Sequence, residues 1–337
     1  MRVLIVLVAC VCACVASERR YFPEDDHRYD NQRFVLVPDD NGFPRLVDLQ
    51  HRDVDFELVP EDITVYFHSA AEPTIGHKFS AHDFDGQVNH PDFDPTRKTV
   101  FVTHGWTGFN TSYSCRTIYT ALLVKDEVNV FVVDWNRPAH EFYTVARQVV
   151  PDIGRVLGGF IDKLLETNNM DSSLIMLVGN SLGAHVIGAT GAAMKNKPGI
   201  IMGLDPAHPL FYLDEPSKRL DISDAKVVHI LHTNAGFLGY LSSLGHADYW
   251  ANGGGQRQPG CGVDPFGYCA HTRSVELFAE SINSRAFRSL KCDSYEEFKN
   301  GGCDNNQVSI YGGINIDFDA TGDFYYETNA ESPYAQN

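Results

Sequence analysis

The sequence has few basic side chains for its length. Lysine and arginine together number 27, against 44 aspartates and glutamates, which gives the 337-residue chain a formal net charge of −17 at pH 7. The acidic residues are spread along the chain rather than collected in one block. This balance argues against nucleic acid, heparin or an anionic membrane as an electrostatic partner. It is typical of a protein that remains soluble in an extracellular fluid.

Long apolar runs are missing after the start of the chain. Residues 3–15 form one such run, which follows Arg2 and precedes the small residues Ala16 and Ser17. The arrangement predicts a secretory signal peptide over residues 1–16, too short for a membrane span, although a buried N-terminal strand is an alternative interpretation. No later stretch reaches the ~20 apolar residues that a spanning helix needs. We therefore expect a secreted, extracellular protein without a transmembrane segment.

Cysteine is also scarce after the predicted signal peptide. Three of the eight cysteines lie in the first fourteen residues, and five remain. Two short intervals predict disulfide bonds in an oxidising compartment, Cys261 with Cys269 and Cys292 with Cys303. These intervals do not match the paired spacings of zinc sites. Cys115 is left over and is predicted to be a buried free thiol or, alternatively, an intermolecular link.

The remaining chain has neither internal repeats nor a low-complexity linker, which predicts a single domain. Residues 17–60 are charged and rich in proline, and we interpret them as a loosely packed, irregular N-terminal extension or pro-segment. From residue 61 strands and helices alternate, and the strands are apolar on both faces, which predicts an α/β fold with a largely parallel sheet covered by helices. In a secreted protein, Asn110 of the Asn-Thr-Ser sequon is a candidate glycosylation site. The predicted strands cover residues 63–68, 99–104, 128–135, 174–180, 199–205 and 226–232, and the predicted helices cover 113–124 and 141–167 and begin at 182 and near 271.

The stretch Gly179-Asn180-Ser181-Leu182-Gly183 contains a candidate nucleophile. It fits the pattern G-x-S-x-G and lies between a predicted strand and a predicted helix, the context that gives this pattern its meaning. Small residues let strand and helix approach closely, and the turn exposes the serine hydroxyl near the next backbone N–H group, that of Leu182. Alternatively, Ser181 only caps the following helix. That function would explain why the residue is a serine, but it would not explain the two flanking glycines.

A serine nucleophile needs a histidine that accepts its proton and a carboxylate that orients the histidine. In sheets of this kind the order along the chain is serine, acid, histidine. Asp205 follows the next predicted strand and is therefore favoured over Asp134, which precedes the serine. His271 is the favoured base because it lies between a predicted disulfide and a predicted helix. Spacing alone leaves four competing histidines, His208, His229, His232 and His246.

Several motifs between residues 103 and 278 are highly specific in combination. They read THGWTG, VVDW, VGNSLGAHVIG, GLDPAHP, RLDISDAKVVHILHTN, GHADYWANGG, PGC and CAHTRSVELF, with a weaker match in GDFYYETN. In these motifs the chain resembles the secreted neutral lipases of the pancreatic lipase family, which include phospholipase A1 enzymes and insect lipases. The resemblance implies an α/β-hydrolase lipase domain over residues 61–337, without the C-terminal lipid-binding β-sandwich domain. The chain departs from the family at Asn180, where a histidine is usual, and this can alter how the turn packs.

The resemblance also implies the catalytic residues. The family's serine, aspartate and histidine fall on Ser181, Asp205 and His271. One donor of the oxyanion hole is the N–H of Leu182, and the resemblance implies that the N–H of Trp106 is the other. HGWTG could alternatively be an ordinary turn with the Trp106 side chain in the core. The two interpretations are compatible, because an oxyanion hole needs only the backbone N–H of Trp106.

A structural calcium ion is implied by the resemblance, although the chemistry itself requires no cofactor. The family binds this ion through two backbone carbonyls and two aspartates, a set of hard oxygen donors that suits calcium. The matching positions are the carbonyls of Pro216 and Arg219 and the side chains of Asp221 and Asp224. The alternative interpretation is that these aspartates are only solvated, as exposed acids in a turn commonly are. We expect no catalytic function for this turn.

The lengths of two loops near the predicted site indicate which class of lipid is the substrate. In the family a disulfide-closed lid covers the serine, and its counterpart here has only seven residues between Cys261 and Cys269, too few for an amphipathic helix. Residues 233–249, which match the family's other covering loop, are also short. Among family members short loops accompany phospholipase A1 activity and long lids accompany triacylglycerol hydrolysis. The sequence therefore predicts a secreted serine lipase that cleaves phospholipid, triacylglycerol or both at a lipid–water interface. A lipid-carrying or yolk-type storage protein on the same fold, and an esterase for small soluble esters, are the alternatives.

Overall fold

The computed structural model describes residues 26–51, 56–125, 127–284 and 287–336. The predicted signal peptide lies outside the described residues. The strands are β1 (Phe34–Pro38), β2 (Pro44–Asp48), β3 (Thr64–His68), β4 (His77–Ser80), β5 (Lys98–Thr103), β6 (Val128–Asp134), β7 (Ile175–Asn180), β8 (Ile200–Leu204), β9 (Val227–His232), β10 (Ala247–Ala251), β11 (Arg288–Lys291), β12 (Val308–Ile310) and β13 (Gly322–Tyr326). The helices are α1 (Tyr113–Leu123), α2 (Asn136–Ala139), α3 (Tyr143–Gln148), α4 (Val150–Asn168), α5 (Leu182–Ala193), α6 (Tyr268–Ser284) and α7 (Tyr295–Lys299).

The described residues contain one large mixed sheet, with strand order β12-β11-β13-β10-β9-β8-β7-β5-β6-β3-β4. The neighbours from β13 to β6 are parallel, and the strands at both edges are antiparallel. Every residue of β7 and β8 is buried, because helices cover both faces of the sheet. The fold is thus an α/β-hydrolase fold, and the predicted α/β class with a largely parallel sheet is confirmed.

Alternation along the central strands divides the core into two layers. In β5, Phe101 faces the layer that includes α4 and α5, whereas Val100 and Val102 face the layer that includes α1 and α6. Helices α4 and α5 pack closely, since a β-carbon on Gly154 would lie 2.5 Å from Cβ of Ala189. The sheet is therefore held rigidly from both sides, and its strand ends are fixed points for a functional site.

Two predictions of local structure are wrong. The helix predicted over residues 141–167 is divided at Val149 into α3 and α4, because Pro151 in the first turn of α4 has no N–H with which to continue a helix from α3. Residues 17–60 were predicted to be irregular, but β1 and β2 form an antiparallel hairpin with Phe34 opposite Asp48. Apolar side chains of this segment, including Tyr29 and Val47, are buried in the main core.

No helix among the described residues has the length and apolar character needed to cross a bilayer.

Candidate active site

The site is built where neighbouring parallel strands end. Thr103 at the end of β5 pairs with Gly179 of β7, and Asn180 at the end of β7 pairs with Leu204 of β8. The residues that follow these strands therefore emerge side by side at the carboxyl edge of the sheet, the edge at which α/β proteins place their ligands. They include Ser181, which directly follows β7.

Ser181 occupies a strained turn between β7 and α5. Its backbone has φ 57° and ψ −126°, which is rare for a residue with a side chain. Both flanking glycines are required by close approach, because a β-carbon on Gly179 would lie 2.3 Å from the carbonyl oxygen of Gly183, and one on Gly183 would lie 2.4 Å from that of His104. The Ser181 side chain makes no capping hydrogen bond to α5, so helix capping does not explain this residue.

Asp205 and His271 form a hydrogen-bonded pair beside this turn. Nδ1 of His271 lies 2.5 Å from Oδ2 of Asp205, whose side chain is fully buried. The other oxygen, Oδ1, accepts hydrogen bonds of 2.9 Å from the backbone N–H groups of Thr233 and Asn234. With one oxygen held by two amides, the carboxylate is fixed in the orientation that receives the imidazole. His271 and Ser181 line the same cavity.

The competing acid has another partner. Oδ1 of Asp134 lies 3.3 Å from Nε2 of His104, and the His104 ring stacks on Trp135. Of the histidines that competed as the base, His232 is buried and pairs with Asp248 at 2.8 Å. Among the described residues, His271 is the histidine that lines the Ser181 cavity. The geometry thus favours Asp205 and His271.

Of the two predicted oxyanion donors, Leu182 directly follows Ser181 and Trp106 lines the Ser181 cavity. Leu182 is the first residue of α5, where a helix offers N–H groups without intrahelical partners. The turn after β5 approaches the serine closely, because a β-carbon on Gly105 would lie 3.0 Å from Cβ of Ser181. Trp106 lines the same cavity, and its indole N–H donates to the carbonyl of Glu141 at 3.0 Å while the ring packs on the core. The interpretation that the Trp106 ring packs on the core is confirmed, whereas its backbone N–H as an oxyanion donor stays a prediction.

Asn180, the departure from the family pattern, links the turn to the helix of His271. Its side-chain amide donates to the carbonyl of Leu204 at 3.0 Å and to Oγ of Ser274 at 3.2 Å. Oγ of Ser274 in turn donates to the carbonyl of His271 at 2.8 Å. The substituted side chain is thus part of a continuous hydrogen-bonded support under the site.

The N-terminal segment, residues 26–51, supplies a wall of the cavity that the sequence did not predict. Its residues 37–40 line the cavity together with Ser181. The backbone N–H of Asp40 donates to Oγ1 of Thr107 at 2.8 Å, and the hydroxyl of Tyr268 donates to the carbonyl of Asp40 at 3.2 Å. Burial raises the pKa of the Asp40 carboxyl above its ordinary value. Only tertiary contacts reveal this position, since the segment has no motif of its own.

Residues 261–267 of the disulfide loop do not contribute to the lining of the Ser181 cavity. Cys261 and Cys269 are bonded, as are Cys292 and Cys303, and Cys115 is an unpaired, buried thiol among the described residues. Residues 261–267 contain no helix, as expected for so short a loop, and none of them lines the Ser181 cavity.

The turn matched to a calcium site has a partly compensated charge. Arg219 Nη1 lies 3.2 Å from Oδ2 of Asp221, and the carbonyl of Pro216 accepts a hydrogen bond of 3.4 Å from the Arg219 N–H. Oδ2 of Asp224 accepts the Asp221 N–H at 2.8 Å. Burial raises the pKa of Asp224 to about 7, and a cation bound beside this carboxylate would favour its ionised form. The oxygen donors and this buried carboxyl fit a bound calcium ion.

Asn110 of the sequon is partly exposed in the turn before α1. The hydroxyl of Ser112, the third residue of the sequon, is buried and accepts the N–H of Phe109 at 2.8 Å.

Comparison with known proteins gives one family match, to the model described as Lipase, over residues 41–334. Lipase member H of Mus musculus is 39% identical over 62% of this chain and 48% of its own length. Lipase member H of Oryctolagus cuniculus is 34% identical over 78% of this chain and 62% of its own length. The chain thus spans about half the length of the first of these relatives. A solved alpha/beta hydrolase enzyme from a Medee basin deep-sea metagenome library is 13% identical to this chain, with a TM-score of 0.33. The match covers 60% of this chain and 69% of that enzyme's chain. An identity and a TM-score this low do not bear on function.

Proposed function

The chain belongs to the lipase family, and from this premise we propose that it is a serine hydrolase that cleaves the acyl esters of glycerolipids. The observation that supports this most directly is the 2.5 Å hydrogen bond from His271 to Asp205 beside the cavity of Ser181. A nucleophile, a base and an orienting acid are the three parts of such a site.

In the proposed reaction, Oγ of Ser181 attacks the ester carbonyl carbon while Nε2 of His271 accepts the hydroxyl proton. Asp205 accepts the hydrogen bond from Nδ1–H, which fixes the tautomer and stabilises the imidazolium. The carbonyl oxygen becomes an oxyanion that accepts the N–H groups of Trp106 and Leu182. The C–O bond to the alcohol then breaks, His271 returns the proton to the leaving oxygen, and the acyl group remains on Ser181. Water attacks the acyl-enzyme with His271 as base, which releases the fatty acid and the free serine.

Replacing the nucleophile tests this proposal. We expect Ser181→Ala to lower the hydrolysis of p-nitrophenyl butyrate by about a thousandfold or more, and to abolish labelling by a serine-reactive phosphonate. Ser284→Ala, at the exposed end of α6, is the matched control and should behave as the wild type. Equal labelling of wild type and Ser181→Ala would place the reactive serine elsewhere, and absence of labelling in the wild type would favour the alternative, a lipid-carrying or yolk-type storage protein.

We also propose phospholipase A1-type cleavage alongside attack on triacylglycerol. The support is the short loop over residues 261–267, which contains no helix and does not line the Ser181 cavity. Release of fatty acid from phosphatidylcholine, triolein and a galactolipid, measured side by side, tests this. Hydrolysis of triolein alone, with a sharp rise in rate above the solubility limit, would contradict it.

We also propose that the protein is secreted, on the basis of residues 1–16, and that it is glycosylated at Asn110. Sequencing the N-terminus of protein collected from culture medium tests the first. A mobility shift with an N-glycosidase, lost in Asn110→Gln, tests the second. A structural calcium ion held by Asp221, Asp224 and the carbonyls of Pro216 and Arg219 is likewise proposed.

A further inference from the structure

The backbone of His271 is hydrogen-bonded in both directions along the first turns of α6. Its N–H donates to the carbonyl of Gly267 at 2.9 Å, and its carbonyl accepts the hydroxyl of Ser274 at 2.8 Å. Asp205, the acid that binds the imidazole, lies 66 positions earlier in the chain. The alignment of acid and base therefore depends on tertiary contacts between α6 and the residues around Asp205.

One buried asparagine contacts both the acid and the start of α6. The backbone N–H of Asn234 donates to Oδ1 of Asp205 at 2.9 Å, and its side-chain amide donates to the carbonyl of Gly267 at 2.7 Å. The same carbonyl accepts the N–H of His271. Asn234 is fully buried, and a β-carbon on Gly267 would lie 2.5 Å from its Nδ2 atom. The amide is therefore packed tightly against the residue at which α6 begins.

A second asparagine makes the corresponding link on the other side of His271. The side-chain amide of Asn180 donates to the carbonyl of Leu204, the residue before Asp205, at 3.0 Å. It also donates to Oγ of Ser274 at 3.2 Å, and this hydroxyl passes its own proton to the carbonyl of His271. The amide nitrogen carries two protons, so both bonds form at once. The end of β8 is thus joined to α6 by one chain of hydrogen bonds.

From this geometry we propose that Asn180 and Asn234 are positioning residues, whose side-chain amides hold His271 in place relative to Asp205. The inference rests on the proposed function, since it explains how the acid and the base of that reaction are aligned. Each asparagine is bound to α6 on one side, and on the other to the carboxylate of Asp205 or to the carbonyl before it. A shift of α6 would break bonds between buried groups, and a buried polar group without a partner is costly.

The proposal also explains why residue 180 is an asparagine. The carbonyl of Leu204 and the hydroxyl of Ser274 both accept a proton from this position. A neutral histidine, the residue usual here in the family, has only one N–H group. Asparagine therefore satisfies two acceptors where histidine would satisfy one.

Removal of the Asn234 side chain tests the first link. Asn234→Ala keeps the backbone N–H that binds Asp205 but deprives the Gly267 carbonyl of the side-chain donor. Misplacement of a catalytic group by about 1 Å costs on the order of 100-fold in rate, so we expect kcat on p-nitrophenyl butyrate to fall by about tenfold to a hundredfold. KM should change by less than about twofold, because the side chain is fully buried against Gly267 and binds no part of the ester.

Asn168→Ala is the matched control for this variant. The Asn168 amide also donates two hydrogen bonds to backbone carbonyls, to Gly86 at 2.9 Å and to Leu164 at 2.8 Å, at the C-terminal end of α4. Its loss removes bonds of the same kind away from His271. We expect kcat and KM of the wild type.

Ser274→Ala is a smaller change that tests the second link. It removes the hydroxyl between Asn180 and the carbonyl of His271, and kcat should fall by about threefold to tenfold. The double variant with Asn180→Ala should lose no more than Asn180→Ala alone, because both residues act through one chain of bonds. Ser281→Ala is the control on the same helix. Its buried hydroxyl likewise donates to the carbonyl three residues before it, at 2.6 Å, and accepts the N–H of Gly313 at 2.9 Å.

The pH profile separates positioning from a loss of folded protein. The hydrogen bond from Asp205 favours the protonated imidazole, so a misplaced His271 binds its proton less tightly. The acidic limb of kcat/KM should therefore move to lower pH by about half a unit to one unit in Asn234→Ala and in Ser274→Ala. A variant that is merely less stable would lose folded protein at acid pH, and its acidic limb would move to higher pH.

Thermal unfolding at each pH gives the folded fraction by which every rate is divided. Wild-type kcat in both Asn234→Ala and Ser274→Ala would overturn the positioning of His271 by these amides. Equal losses in the two control variants, or an acidic limb that stays in place or moves to higher pH, would overturn it as well. Each of these results leaves the proposed function standing, whereas absence of phosphonate labelling and of hydrolysis in the wild type would refute the proposed function.

Discussion

Gly239 lies directly against the carboxylate of Asp205. A β-carbon at position 239 would be 2.4 Å from Oδ1 of Asp205 and 2.7 Å from Oδ2. Two backbone amides thus hold the carboxylate that orients His271, and the lack of a side chain at Gly239 leaves the space that this carboxylate occupies.

We expect Gly239→Ala to displace the Asp205 carboxylate and with it the imidazole of His271. A misplacement of about 1 Å in a catalytic array costs on the order of 100-fold in rate, so kcat on p-nitrophenyl butyrate should fall by about that factor. Gly255→Ala is the control, because a β-carbon there meets no atom within 4 Å. Full activity in Gly239→Ala would show that the Asp205 geometry tolerates movement.

Asp40 should influence which headgroup the enzyme accepts. Its carboxyl lies in the wall of the Ser181 cavity, and an ionised carboxylate repels an anionic substrate. We expect Asp40→Asn to increase the rate on phosphatidylglycerol relative to phosphatidylcholine by about threefold to tenfold, equivalent to about 1 kcal/mol. Asp319→Asn, at an exposed position, is the control. A parallel change on both lipids would mean that Asp40 acts on the fold and not on headgroup choice.

Removal of calcium should lower the thermal stability. A ligand that binds only the folded state at a hundredfold excess over its Kd stabilises by about 2.7 kcal/mol, which for a chain of this size corresponds to a Tm change of about 4 °C. We expect EGTA to lower Tm, calcium but not magnesium to restore it, and Asp224→Asn to abolish the response. A Tm indifferent to EGTA in the wild type would argue that the turn of Asp221 and Asp224 is only a polar loop.

Buried histidines should make the fold sensitive to acid. Burial lowers the pKa of three of them, to about 3 for His185 and to about 4 for His208 and His229. The unfolded chain binds these protons near pH 6.5, so the stabilisation is complete above that pH and is lost as the pH falls toward 4. Each histidine contributes a slope of about 1.4 kcal/mol per pH unit in this window.

Urea unfolding at pH 7 and pH 5 measures this dependence. His229→Phe should reduce the difference between the two pH values, whereas His82→Phe, at an exposed position, should not. An equal pH dependence in wild type and His229→Phe would contradict the protonation of His229 on unfolding.

The sequence predicted the strands around the site well, because parallel strands buried on both faces have an unmistakable apolar pattern and their ends fix Ser181 and Asp205. It could not choose His271 by spacing, since α6 reaches the site through tertiary packing. The same limit explains why the packing of the N-terminal segment against the site was not predicted. Its contacts, such as that of Tyr29 with Phe237, join residues that no local pattern connects. Strands β10 and β13 were not predicted, although they pair in parallel within the sheet.

The contact of Tyr29 with Phe237 also bears on how the chain folds. The two residues are 208 positions apart, so the loop that their contact closes is most of the chain. Contacts of such separation incur a large loss of chain entropy and slow the search for the native state. We therefore expect the sheet to assemble first and the N-terminal segment that contains Tyr29 to dock last. Because residues 37–40 line the Ser181 cavity, the far-UV circular dichroism of the sheet should recover earlier during refolding than hydrolytic activity.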